Sequence, residues 1–410
     1  MGGVQVDRTP AFVSSTLGAV HVGAILLVGQ ATTGTRAVAT AASRARTVAG
    51  APAGVQAIVA ADQEGGLVQH LKGPGFEPIP SASEQAQLTP SQLRTRAKEW
   101  GEDLRAASVD LDLAPVADVV PASVGTANMP IGALHRGYGS DPSSVGRHVA
   151  AFVSGMGQAG VATAVKHFPG LGKVRGNTDV TAGVVDRVTT RDDPDLVPFG
   201  AGIEAGAGFL MVSLATYSKI DPDNRAVFSE TVIDGMVRKD LGFDGVVLSD
   251  DLGAAAEVKA VPPAQRALRF LRAGGDMIVT VEVSVLPAMT QAVIAAAKSS
   301  RSFRSTIDQH VLRILTAKRA IGLLTCSDPR SARPPRLAPG WPNAGCRRRT
   351  SCRMIGPHGT VDPVRGGAML SGERVLLRGV ERDDLRGTAA LTRVIPLAIC
   401  VRLRPCWTPW

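Results

Sequence analysis

Residues 57–66 read AIVAADQEGG. An unbroken apolar run gives way, at Asp62, to carboxylates, an amide and two glycines. The run is too continuous for a strand with one wet face and suits a parallel strand covered on both sides. The same pattern recurs along the chain, at Gly23–Val28 (GAILLV), Leu111–Val116 (LDLAPV), Ala162–Lys166 (ATAVK), Phe209–Ser213 (FLMVS), Gly245–Ser249 (GVVLS) and Met277–Val281 (MIVTV). Gly2–Val6 reads as the remnant of a truncated first strand, which brings the number to eight. Helical patterns lie between the runs, for example Thr89–Ala107 with Thr89-Pro90 as its start signal, Pro142–Ala159, Ser229–Leu241 and Pro287–Lys298. A last amphipathic stretch, 302–323, reads as a closing helix. Eight strands alternating with helices predict an α/β chain folded as a (β/α)8 TIM barrel.

Charge divides the chain. Of its 410 residues, 45 are Lys or Arg and 36 are Asp or Glu, for a net +9. Residues 327–410 hold 15 Arg, no Lys and 6 acidic residues, which leaves 30 of each sign for residues 1–326. The excess therefore belongs to the tail. The expected domains are a barrel over 1–325 and an Arg- and Pro-rich tail over 326–410 that is either disordered or not homologous to the body. No Cys precedes Cys326, which excludes a disulfide scaffold or Cys-ligated metal in the body. No apolar run reaches the ~18 residues of a membrane span. No signal peptide is visible at the start; the chain reads as cytoplasmic as written, or as secreted or lipid-anchored if a signal lies upstream. The scarcity of aromatic residues, 4%, argues against a base-stacking nucleic-acid surface.

In a barrel of this kind the chemistry gathers at the C-terminal ends of the strands. Those ends read Asp62-Gln63-Glu64-Gly65-Gly66, Pro115 with Asp118, Lys166-His167-Phe168-Pro169-Gly170, and Ser249-Asp250-Asp251. Any one of these polar residues could serve only as a cap. Together they bring paired carboxylates to one rim, the requirement of glycosidic cleavage, with a Lys and a His as donors for sugar hydroxyls. No phosphate-binding glycine fingerprint is present. The glycines after the fifth strand (Gly170, Gly172, Gly176, Gly183) suit a mobile flap better than a phosphate nest.

At these residues the sequence resembles family 3 glycoside hydrolases of the bacterial β-N-acetylglucosaminidase type. The matching segments are ADQEGGLVQHLKGPGF (61–76), LDLAPVADV (111–119), NMPIGALHRGYGSDP (128–142), AVKHFPGLGKVRGNTD (164–179) and GFDGVVLSDDLGAA (242–255). The resemblance implies retaining hydrolysis of terminal, non-reducing β-linked N-acetylglucosamine by a monomer. It implies no cofactor or metal and no nucleic-acid partner. The expected substrates are small carbohydrates, either muropeptide fragments of peptidoglycan or chitooligosaccharides. Alternatives are a β-glucosidase or N-acetylglucosaminide phosphorylase of the same family, or a catalytically silent sugar-binding protein. Asp250 matches the nucleophile, and Asp251 supports the loop. Asp62, Lys166, His167 and Arg136 match sugar-binding positions; a loop ion pair with Asp141 is the competing reading for Arg136.

Two positions depart from the family pattern. His70 stands where the family usually has a sugar-binding Arg, and a neutral imidazole cannot mimic a bidentate guanidinium. In the loop after the fifth strand, the family's Asp-Ser-His, whose His is the general acid/base, is replaced by Asn177-Thr178-Asp179. Asp179 is then the only titratable side chain able to act as acid/base, which requires burial or nearby negative charge to raise its pKa.

Overall fold

The computed structural model describes residues 1–6 and 9–324. The expectation for the tail lies outside the described residues. Eight parallel strands form one sheet in sequence order: β1 (Gly2–Gln5), β2 (Ala24–Val28), β3 (Ile58–Ala61), β4 (Leu111–Asp112), β5 (Ala162–Phe168), β6 (Phe209–Val212), β7 (Val246–Asp251) and β8 (Met277–Val279). β1 pairs with β2 along its whole length, from Gly2 opposite Ile25 to Gln5 opposite Val28. Its other edge meets the end of β8. Gly3 N donates to Thr280 O at 2.9 Å, and Thr280 N donates to Met1 O at 3.0 Å, which closes the barrel. Glycine permits this seam, since a Cβ at Gly3 would lie 2.7 Å from Val281 O. Helices surround the sheet: α1 (Ala11–Val20), α2 (Thr35–Ala49), α3 (Pro90–Ala106), α4 (Pro142–Gln158), α5 (Val197–Glu204), α6 (Thr231–Asp240, of π type), α7 (Pro263–Arg272), α8 (Leu286–Ser299) and α9 (Arg301–Ala320). None of the described helices is long and apolar enough to cross a membrane.

Side-chain alternation sorts the strands into two cores. Ala24, Leu26, Ile58, Ala60, Leu248 and their equivalents fill the barrel interior. Ile25, Leu27, Val59, Val165, Leu210 and Val247 face the helices. Burying each such Leu, Ile or Val contributes about 1.5–3 kcal/mol. From below, Ile314 and Ala317 of α9 lean on the interior cluster. That helix is anchored at His310, whose Nδ1 lies 2.8 Å from the buried Asp276 Oδ1.

The helix start read at Thr89-Pro90 is present. Thr89 Oγ1 accepts from Gln92 N, Gln92 returns a bond to Thr89 N, and Pro90 takes the first helical position, where no N–H is needed. Strand four is shorter than its apolar run. Regular pairing with β5 stops at Asp112 and resumes in a shifted register, with Val116 opposite Lys166 and Lys166 N reaching Pro115 O at 3.2 Å. β5 and β7 instead run further than their apolar stretches, to Phe168 and Asp251, and carry the polar residues within the strands.

Candidate active site

The interior parity of the strands continues past their apolar part. Two residues beyond Ala60 is Asp62, two beyond Ala164 is Lys166, and two beyond Leu248 is Asp250. The pleat that fills the barrel with aliphatic groups therefore turns these three side chains inward at its C-terminal mouth. Lys166 Nζ donates to Asp62 Oδ1 at 2.8 Å. The β5–β6 register slips between Val165 and Phe168, and the Lys166–His167 peptide in that step is cis.

Glu64 is the hub of this cluster. It lies on a tight hairpin, Gln63–Gly65 against Val68–Gln69, that turns at Gly65 with φ of 109°, where a Cβ would be 2.1 Å from Pro80 O. Glu64 receives Arg136 in a two-pronged pair, Nε to Oε2 at 2.8 Å and NH2 to Oε1 at 2.7 Å. Lys166 Nζ stands 2.6 Å from Oε1 of the same carboxylate. Burial alone would raise the Glu64 carboxyl, but Arg136 and Lys166 together hold it well below the usual carboxylate range. Burial alone would likewise lower the pKa of both cations, but Asp62 and Glu64 hold Lys166, and Glu64 holds Arg136, well above their ordinary values. Arg136 also donates to Pro130 O at 2.9 Å. The pairing with Asp141 does not occur; Asp141 caps α4 by accepting from Ser144 N.

His167 extends the cluster. Its Nδ1 lies 2.8 Å from Asp118 Oδ2, and its Nε2 lies 3.5 Å from Arg136 NH2. Asp118 is fully buried and also accepts from the backbone N of His167 and of Leu171.

On the far side of the mouth, Asp250 Oδ1 accepts only from Asp251 N, at 2.7 Å. Its carboxyl is pushed up to about 6, chiefly by removal from water. His167 opposes the shift, and the negative charge of Asp179 adds to it. Asp251 turns away and orders the following loop, accepting from Gly253 N, Ala254 N and Val281 N, as its position in the sequence led us to expect. The buried Arg266 of α7 donates to the carbonyls of Leu252 and Gly253 from the outer side.

Asp179 is exposed on the turn 177–181 of the loop after β5, so of the two conditions set in the sequence for an acid/base there, burial is not met. Its backbone is fixed, N donating to Asn177 Oδ1 at 2.9 Å and O accepting from Ala256 N at 2.9 Å. Among the described residues its carboxylate has no hydrogen-bond or ion-pair partner. The loop we read as a flap is thus tied to the loop that follows Asp250.

His70 does not join the cluster around Glu64. Its Nδ1 lies 3.1 Å from Gly29 O and 3.2 Å from Gln30 Nε2, at the end of β2. The sequence reading left out Glu64 and Asp118 as participants, and Asp112 altogether. Glu64 had a visible signal, because two cations converging on one rim require buried anions. Asp112 is completely buried with one oxygen unpartnered and the other accepting from Gln63 N. Burial pushes its carboxyl up to about 8, against the opposing charge of Lys166.

Residues 4–317 match the glycosyl hydrolase family 3 N terminal domain. A β-hexosaminidase of Xanthomonas oryzae pv. oryzae is 36% identical over 244 residues, 58% of this chain and 70% of the relative. The crystal structure of a β-N-acetylhexosaminidase from Beutenbergia cavernae superposes with a TM-score of 0.75 at 43% identity, covering 78% of this chain and 96% of the other. A family 3 β-N-acetylglucosaminidase from Paenibacillus sp. gives a TM-score of 0.69 at 26% identity, covering 80% of this chain and 63% of the other.

Proposed function

The chain belongs to glycosyl hydrolase family 3 and is a glycosidase, and we propose that it removes terminal, non-reducing β-linked N-acetylglucosamine with retention of configuration. The names of its relatives support the sugar. The carrying observation is the inward Asp250, with a carboxyl raised to about 6 and the unpaired carboxylate of Asp179 acting on it. Peptidoglycan fragments and chitooligosaccharides are the proposed sources of the sugar. The span of the family match, 4–317, supports one barrel domain over 1–325.

The mechanism is double displacement. The Asp250 carboxylate attacks the anomeric carbon while the Asp179 carboxylic acid gives its proton to the departing glycosidic oxygen. A glycosyl ester on Asp250 results, and the aglycone leaves as an alcohol. Asp179, now a carboxylate, takes a proton from water as that water attacks the anomeric carbon, and Asp250 is released. Lys166 and Arg136 donate to ring hydroxyls, His167 donates or accepts, and Asp62 accepts, so that binding energy away from the reacting bond orients it. Each cation reaches the sugar already held by Glu64.

The test is the hydrolysis of an aryl β-N-acetylglucosaminide followed by NMR of the first-formed anomer. The β-anomer is expected; the α-anomer would reject retention. Running the reaction with and without phosphate separates hydrolase from phosphorylase. Saturable binding of N-acetylglucosamine without turnover would replace the enzyme reading with a sugar-binding one.

A further inference from the structure

Asp179 stands on the loop after β5 and Asp250 at the end of β7, which leads into the next loop, and an acid/base works only within reach of the bond it protonates. Something must hold the two loops in register. The contacts converge on Glu257, six residues after Asp251 and only 2% exposed. Its backbone N donates to Thr178 O at 3.1 Å, beside the bond from Ala256 N to Asp179 O. Its Oε2 accepts from Val184 N at 2.9 Å, just beyond the Asp179 turn on the same loop, and its Oε1 accepts from Arg225 Nε at 2.7 Å. Arg225 in turn lies on the short strand Asp221–Arg225, which pairs with Thr216–Tyr217, and that segment pairs with Val185–Asp186. One buried carboxylate therefore joins the loops after β5, β6 and β7. Removing a buried, paired anion leaves the other charge uncompensated.

We propose that Glu257 is a positioning residue for catalysis, fixing the Asp179 turn at the working distance from Asp250. The inference rests on Asp179 being the acid/base. Glu257 touches neither sugar nor reacting atoms, and it acts through the turn it holds.

The test compares D179A, E257A and E257Q in the full chain on two N-acetylglucosaminides, one with a dinitrophenolate leaving group and one with a sugar alkoxide. General acid help matters for the alkoxide and little for the phenolate, so D179A should lose roughly 10²–10⁴ in kcat/KM, which reports the glycosylation step, on the alkoxide alone. E257A should show the same selectivity at roughly ten- to a hundredfold, and E257Q, which keeps an acceptor for Val184 N, a smaller loss of the same kind. If D179A discriminates while both Glu257 variants slow the two substrates equally, or neither, the inference is overturned and Glu257 is only a structural anchor. If D179A itself does not discriminate, the acid/base reading fails and the inference falls with it, an outcome visible in that arm alone. Should E257A not fold, E257Q decides by the same criterion.

Discussion

Asp118 holds His167 at two points: Oδ2 lies 2.8 Å from the ring Nδ1, and Oδ1 accepts from the same residue's backbone N at 3.1 Å. Because a carboxylate only accepts, Nδ1 carries a ring proton, while Nε2 faces Arg136. Asp118→Asn should reverse this. Its amide nitrogen would donate to Nδ1 and move the ring proton to Nε2, against a guanidinium. The KM for an aryl β-N-acetylglucosaminide should rise by the worth of a charge-assisted hydrogen bond, about 1.5–3 kcal/mol. An unchanged KM in steady-state assays would show that the tautomer does not matter.

In the proposed mechanism Asp250 must be ionised to attack. With its carboxyl raised to about 6, kcat/KM for a phenolate substrate should rise with pH through about 6, whereas an unperturbed aspartate would place that limb near 3.9. Asp179 contributes to the shift, so Asp179→Asn should move the limb to lower pH. A pH profile with an activated leaving group, which needs little acid help, reads this directly. Asp250→Ala should abolish turnover.

Glu64 neutralises two buried cations. Glu64→Ala should leave Arg136 and Lys166 facing each other, at a cost of about 3–5 kcal/mol in stability, measured by denaturant unfolding. The folded-state pKa of Glu64 is depressed, so its contribution is complete above the unfolded value of ~4.3 and is lost only as pH falls well below it. Stability measured between pH 5 and 8 should show no titration from this group.

Asp112 behaves in the opposite sense. Its folded-state carboxyl, at about 8, binds a proton that the unfolded chain releases near 3.9. Its contribution to stability is therefore complete below ~4 and declines as pH rises toward 8. Asp112→Asn, which carries no charge to suppress, should raise the melting temperature at pH 7.5 and flatten that decline. A lower melting temperature at pH 7.5 would reject the assignment.

Much of this architecture is legible in the sequence because it is local. An apolar run that ends in a charge at an inward position announces both a barrel strand and a mouth residue, which is why Asp62, Lys166 and Asp250 could be read directly. The rest depends on partners far along the chain. Glu64 gains its role from Arg136, 72 residues away, and Glu257 from Val184, 73 residues away; no periodicity links them. His70 fits the motif by position, yet its ring engages the end of β2 because Gly29 and Gln30 supply the nearest polar atoms. Strand four misled because its pairing with β5 slips after Asp112 and resumes with Val116 opposite Lys166, a change of register that hydrophobicity alone does not show.

The barrel interior is packed with Leu26, Ile58, Leu248 and their neighbours, and α9 lies across its lower end. The catalytic mouth is therefore a cup with one opening. Whatever enters must also leave by the same way, so in the proposed double displacement the aglycone departs before water arrives, and the free monosaccharide is the last to go. A sugar that lingers in the cup would block the next chain end, so on the proposed reading N-acetylglucosamine should inhibit competitively.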